Sequence, residues 1–232
     1  MTTTLLIPLE GPLQAWGLDS RFGLRQTAAE PSKSGVIGMC CAALGRDRSE
    51  TIDDLAALLF GVRVDREGRL TRDFHTAKDV IGASGSVTEL RTVVSTRWYL
   101  ADAAFIAGLQ GPLPLLQAIH AALQKPHWPT HLGRRSCPPS VPPGSGSVVP
   151  LPLEEALRLT EPFRPRKPLW PTAPTDKSVR LVLEDPLGPQ ARPDQPLAPF
   201  SERRFGMRRV RSLTVSVPEN PVISDALGGP TP

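Results

Sequence analysis

His75 and Lys78 lie three residues apart, and Tyr99 is the single tyrosine of the chain. A histidine at a strand end beside a lysine could act as general base on a ribose 2′-hydroxyl, giving RNA cleavage without a metal. The preferred reading makes His75 an RNA-contacting or structural histidine at the base of an exposed excursion, with Lys78 beside it. His127-x-x-x-His131 with Cys137 has the outline of a metal site. A structural zinc needs four ligands, and Pro129 breaks any helix between the two histidines, so no metal is expected. There is no phosphate-binding Walker loop and no Gly-x-Ser-x-Gly, and no cofactor is expected. Asp47, Glu50, Asp53 and Asp54 read as acids at a helix start rather than a catalytic carboxylate pair.

Basic residues gather in three places. The first is GPLQAWGLDSRFGLRQTAAEPSKSGVIG, residues 11–38. Pro31, Ser32, Lys33, Ser34 and Gly35 have the composition of a helix start, where unpaired N–H groups favour an anion. Lys33, Arg21 and Arg25 add charge, and Trp16 and Phe22 add aromatic surface for stacking. The second is Arg134-Arg135-Ser136 after Gly133, where a guanidinium fork suits phosphate oxygens. The third runs from Arg203 and Arg204 through Phe205 to Arg208, Arg209 and Arg211. The three clusters suggest a composite surface for an anionic partner, and His75, Lys78 and Arg97 are further candidates for contacting it should that partner be RNA.

Those residues need a scaffold. The 232 residues suit one elaborated domain or a domain with an appendage, and the net charge of +4 permits an acidic partner without requiring one. No apolar run is long enough for a membrane span, and Met1–Leu6 is no signal peptide. Three cysteines, two of them adjacent, argue against a disulfide framework and for a reducing cytoplasm.

The first half reads as α/β in its local order. A strand is predicted over Thr3–Leu9, a helix over Val36–Gly45 and a second helix from Ser49 to Phe60. Val62–Asp65 and Leu70–Phe74 flank a hairpin-like turn at Arg66-Glu67-Gly68. Residues 76–96 look like an exposed excursion. Arg97–Leu109 is apolar on both faces, as in a central strand, and Leu113–Leu123 is an amphipathic helix. Twenty of the 27 prolines follow Cys137. Residues 138–146 are linker-like, 162–174 are proline-dense, strands fit Val179–Glu184 and Val210–Val217, and 185–199 reads as a proline-broken loop. A frayed tail is predicted for 218–232. The order of strands and helices suggests a ferredoxin-like core.

The stretches GPLQAWG, SRFGLRQT, PSKSGVIGMCCAALGR, LLFGVRVDREG, DFHTAKDV, STRWYLADAAF and KPHWPTHLGRRSCPP, with a late RRFGMRRVRSL, occur in that order. Together they resemble the CasD family of subtype I-E CRISPR Cascade subunits. The resemblance implies an α+β chain: a ferredoxin-like, RRM-like core over 1–139, a thumb inserted at about 76–96, and a smaller, mostly β region over 140–232. It implies a non-catalytic RNA-binding subunit that holds the 5′ handle of a CRISPR RNA, caps the CasC backbone and helps seat the large subunit CasA. The thumb would cross the guide beside target DNA. Precursor RNA is cut by a separate subunit in subtype I-E, whereas the related I-C subunit is itself a nuclease, which keeps an endoribonuclease as the alternative.

Overall fold

The computed structural model describes residues 2–17, 23–81, 91–160 and 178–216. The first half carries β1 (Thr3–Glu10), β2 (Leu13–Gln14), β3 (Leu24–Arg25), α1 (Lys33–Leu44), α2 (Asp53–Ala56), β4 (Leu59–Arg66) and β5 (Arg69–Val80). β6 (Arg91–Ala101), β7 (Ala104–Gly111), α3 (Leu113–Gln124), β8 (Ser147–Val149) and α4 (Leu153–Leu159) follow. β9 (Ser178–Glu184), β10 (Gln190–Pro196) and β11 (Phe205–Ser216) complete the described chain.

Four strands form the ferredoxin-like centre, in the order β4-β7-β1-β8 with every neighbour antiparallel. β1, α1 and β4 make one crossover unit and β7, α3 and β8 the other, each unit lending its strand to the middle of its partner. The α+β class read from the sequence is the observed one. β1 is buried throughout because both faces are covered: Leu5, Ile7 and Leu9 pack under α1 and α3, while Leu6 points to the other side with α4. Ser32 caps α1 by accepting from the Gly35 N–H, and Gly45 closes it in the left-handed conformation. In α3, Leu116, Ile119 and Leu123 recur at helical spacing and are buried.

α4 lies close on the second face because Gly61 and Gly108 stand directly opposite each other in β4 and β7. A Cβ on Gly108 would sit 2.5 Å from Leu153 Cδ1, and one on Gly61 would sit 3.0 Å from Leu157 Cδ1. The paired glycines make the trough that Leu153 and Leu157 fill.

The strands of the 140–232 region extend this same sheet: β9 pairs with β4, β11 with β9, and β10 lies outermost. β10 runs through the stretch read as a proline-broken loop. Pro193 and Pro196 are tolerated there because an edge strand need not donate on its outer side, and the register shifts between Arg192 and Gln195. β8 begins directly after the linker-like stretch and pairs with β1. Residues 161–177 and 217–232, which include the proline-dense stretch and the tail, lie outside the described residues.

Three other expectations are corrected. The helix read over Ser49–Phe60 is one turn, because Leu59 and Phe60 pair with β7. The segments flanking Gly68 do not form a hairpin: β4 belongs to the large sheet and β5 to a second one. The single strand read over Arg97–Leu109 is two strands, broken at Asp102, whose φ is 58°. There the chain passes from the second sheet to the first.

The β4–β7 connection carries the ribbon formed by β5 and β6, which pair from Arg69↔Ala101 to Val80↔Arg91. The ribbon thus begins earlier than the excursion read at 76–96, and residues 82–90 lie outside the described ones. β2 and β3 line the other side of β6. Gln14 fastens the corner between the sheets by donating to the carbonyls of Leu9 and Ala103. Among the described residues, no helix is long and apolar enough to cross a membrane.

Candidate nucleic-acid interface

An RNA-recognition fold usually offers its open sheet face to RNA. Here α4 closes that face with Leu153, Ala156 and Leu157, so exposed basic groups must be sought elsewhere.

The α1 N-terminus is already occupied. Asp194 of β10 accepts the Lys33 backbone N–H at 2.8 Å and takes Arg208 through both oxygens at 2.7 and 2.9 Å. The anion expected from RNA is supplied by the protein. Lys33 is 1% exposed, with its ammonium 3.0 Å from Glu184. Burial, the largest influence, lowers its pKa from the ordinary value, and Glu184 opposes that. Lys33 and Arg208 are therefore corrected from phosphate contacts to buried fasteners between α1 and the C-terminal strands. Trp16 is also buried; its ring lies against Gly35 and its indole N–H donates to Gln14 Oε1 at 3.0 Å. That removes it as a stacking surface for bases. Ser34 and Gly35 are half-buried in the first turn of α1, and Arg21 and Phe22 lie outside the described residues.

The loop over 131–137 is folded onto the Trp16 segment. Gly133 has φ 84°, and a Cβ there would sit 1.8 Å from the Ala15 carbonyl oxygen. The close approach lets Ala15 N–H donate to the Leu132 carbonyl at 3.1 Å. Arg134 then points inward between β3 and β6. It donates to the carbonyls of Trp98, Arg25 and Gln26 at 3.0, 2.9 and 3.0 Å, and its Cζ lies 4.9 Å from the Tyr99 ring centroid. The fork expected on phosphate is spent on backbone carbonyls. Arg135 and Ser136, next in the loop, are exposed.

Around this loop the structure gathers Arg25, Arg97 and Arg134. Arg25 is exposed and lies directly opposite Arg97 across β3 and β6. Arg97 is half-buried and donates from Nε to Ser95 Oγ at 3.2 Å. His75 pairs with Ser95 and Thr71 with Tyr99, so His75 and Tyr99 share a face but stand four residues apart, about 13 Å at the usual rise per residue. They do not make an acid–base pair. Lys78 is exposed beyond the register shift at Ala77. Arg204 is exposed and pairs with Glu202, in the C-terminal cluster rather than at the ribbon.

The opposite ribbon face carries a row of exposed apolar groups, with Arg72 between Leu70 and Phe74. Thr96 stands between Leu24 and Phe74, and Val94 and Leu70 share that parity. All four apolar side chains are exposed, Phe74 to 71%. Sequence reasoning missed this face, Asp194 and the two-sheet corner at Gln14. Leu70 and Phe74, four residues apart and so on one strand face, were the available sign of the first; Asp194, inside a proline-rich stretch, gave none.

The chain matches the model of the CRISPR-associated protein family Cas5 over residues 4–211. It is 34% identical over 180 residues to the Cascade subunit CasD of Escherichia coli strain K12, covering 70% of this chain and 79% of that protein. A crystal structure of a Cas protein superposes with a TM-score of 0.71 at 43% identity, over 94% of this chain and 99% of the other. A chain of a solved CRISPR RNA-guided surveillance complex gives a TM-score of 0.71 at 34% identity, over 93% and 91%. With the interleaved core and the ribbon between β4 and β7, these matches show that the chain belongs to the Cas5 family of CRISPR-associated proteins.

Proposed function

We propose that this chain is the non-catalytic subunit of a Cascade-type surveillance complex that binds the 5′ handle of the CRISPR RNA and caps one end of the CasC backbone. The observation that carries this reading is the 34% identity to CasD across 79% of that protein. The arginines around the ribbon base support it, because they bring Arg25, Arg97 and the exposed Arg135 to one region beside a projecting element. Phosphates would be held by these groups, and splayed bases by the ribbon. The ribbon would lie beside the target DNA, and the large subunit CasA would be seated nearby. Target sequence would then be read by base pairing with the guide, not by this chain.

The test is coexpression of the tagged chain with a CasC-like protein and a CRISPR repeat transcript. The expected product is a complex containing one discrete RNA whose mapped 5′ end carries the repeat-derived handle. The purified chain, incubated with repeat RNA in EDTA, should bind it without cutting. Site-specific cleavage in EDTA would replace this reading with the endoribonuclease.

A further inference from the structure

We propose that Leu187 is an anchor presented to a second protein, a leucine held out in water on a rigid turn and fitted to an apolar pocket with a carboxylate at its rim. That the second protein is a subunit of the same complex rests on the function proposed above.

The turn between β9 and β10 reads Asp185-Pro186-Leu187-Gly188. Each residue suits its place in a β-turn, with aspartate first, proline second and glycine last. The Gly188 N–H closes the turn on the Asp185 carbonyl at 2.9 Å, and Asp185 Oδ1 accepts the Leu187 N–H at 2.9 Å. The turn is then fastened to β11. Asp185 donates its N–H to the Arg209 carbonyl at 3.0 Å, and its Oδ2 lies 3.1 Å from Arg211 Nε. Arg209 Nε donates to the Gly188 carbonyl at 2.7 Å. Gly188 lies so close to β11 that a Cβ there would sit 2.4 Å from the Val210 carbonyl oxygen.

None of this order buries Leu187, which is 91% exposed. A lone exposed leucine is ordinary on a protein surface. One whose backbone is fixed from both sides is different, because a turn ordered beforehand loses less entropy on binding. Its surroundings indicate the partner's chemistry. Arg209 shares its strand face with Met207 and Phe205, which are 64% and 44% exposed. Arg209 is itself exposed, and its terminal nitrogens have no partner among the described residues. Apolar groups beside an open guanidinium suit a protein pocket with a carboxylate at its rim. Leu187 and Met207, the most exposed of the three apolar groups, offer no ring for a base to stack on, which favours protein over RNA.

The test is competition for a place in the complex. Wild type and Leu187→Ser, distinguishable by mass, are coexpressed with a CasC-like protein, a CasA-like protein and a repeat transcript. Their ratio in the purified complex is compared with their ratio in the soluble pool. Wild type is expected to be enriched about tenfold or more, as one buried leucine side chain contributes, while the two isolated chains melt alike. Equal incorporation would overturn the anchor and leave the proposed function standing; wild type absent from the complex would remove both. A lower melting temperature for Leu187→Ser would place the leucine against its own chain and overturn the anchor too.

Asp185→Asn keeps an acceptor for the Leu187 N–H and should compete nearly like wild type. Asp185→Ala loses that acceptor and should be depleted severalfold although Leu187 remains. Equal incorporation of these two variants would overturn the rigid presentation. A photo-crosslinking side chain at position 187 is expected to join a protein subunit on irradiation. A crosslink to the RNA, or none in a fully assembled complex, would overturn the protein pocket.

Discussion

Asp194 grips Arg208 through both carboxylate oxygens while also accepting the first backbone N–H of α1. Both side chains are buried, and the Arg208 guanidinium lies 5.1 Å from the Phe60 ring centroid. One carboxylate thus joins β10, β11 and α1. Removing it would strand a buried guanidinium and leave the Lys33 N–H without its acceptor, although Ser32 still caps the helix. Asp194→Ala is expected to cost about 3–5 kcal/mol in urea denaturation, and Arg208→Met in that background should restore part of the loss. A loss within about 1 kcal/mol would show that the pair is solvated like a surface ion pair.

Arg134 and Arg135 should separate by experiment although they are neighbours. Arg134 serves three carbonyls and Tyr99; Arg135 is exposed. Lysine at 134 keeps the charge but cannot span two strands with a planar fork. Both Arg134→Lys and Arg134→Ala should therefore lower stability, by about 1.5–3 kcal/mol for each charged hydrogen bond lost, less where water replaces it. Arg135→Ala should leave melting almost unchanged and weaken RNA binding. Arg134→Ala melting like wild type would mean that the clasp between loop and ribbon does not form in solution.

The core was legible in the sequence where local pattern and tertiary role agree. Thr3–Glu10, the capped Lys33–Leu44 helix and Leu113–Gln124 each carry their own period and their own stop signal. It was not legible where the fold overrides local preference. Leu59 and Phe60 continue a helical pattern yet pair with β7, and nothing near Asp102 announces that the chain changes sheets. The candidate site was readable as charge and not as geometry. Lys33, Arg208 and Arg134 look from the sequence like Arg25 and Arg135. What separates them is a distant carboxylate or carbonyl that a single sequence does not place: Glu184, Asp194 and Trp98.

Stability should decline on the alkaline side. Burial pushes the Cys41 thiol from 9.0 up to about 11, with Arg46 opposing and Asp54 adding to the shift. The unfolded chain then gives up this proton at lower pH than the folded one. The contribution is complete below pH 9 and is lost as pH rises to about 11. Cys40 is pushed up as well, by burial first. Lys33 acts with the opposite sign, since burial lowers its pKa from 10.5 and the unfolded chain keeps that proton longer. Lys33 is common to wild type and Cys41→Ala, so the difference between their curves isolates the thiol. Wild type should fall more steeply over that window in urea titrations at successive pH values. Parallel curves would show that Cys41 is solvated in the folded chain.

The apolar ribbon face makes the last test, because it passes from core to solvent along one parity. Leu100 is 5% exposed; Leu70, directly across from it, is 61% exposed, and Phe74 is 71% exposed. Such a row is stable in the free chain only where the core supports it, and outside the core it is surface that a partner would cover. Leu100→Ala should cost about 2–5 kcal/mol, as for other buried leucines. Phe74→Ser should change the stability of the isolated chain by less than about 0.5 kcal/mol, the usual range for a surface substitution. In coexpression with a CasC-like protein and repeat RNA, Phe74→Ser should lower the yield of assembled complex, with the excess chain recovered free and folded. A stability loss like that of Leu100→Ala would place Phe74 against this chain itself. Normal stability with normal assembly would mean that no subunit rests on this face of the ribbon.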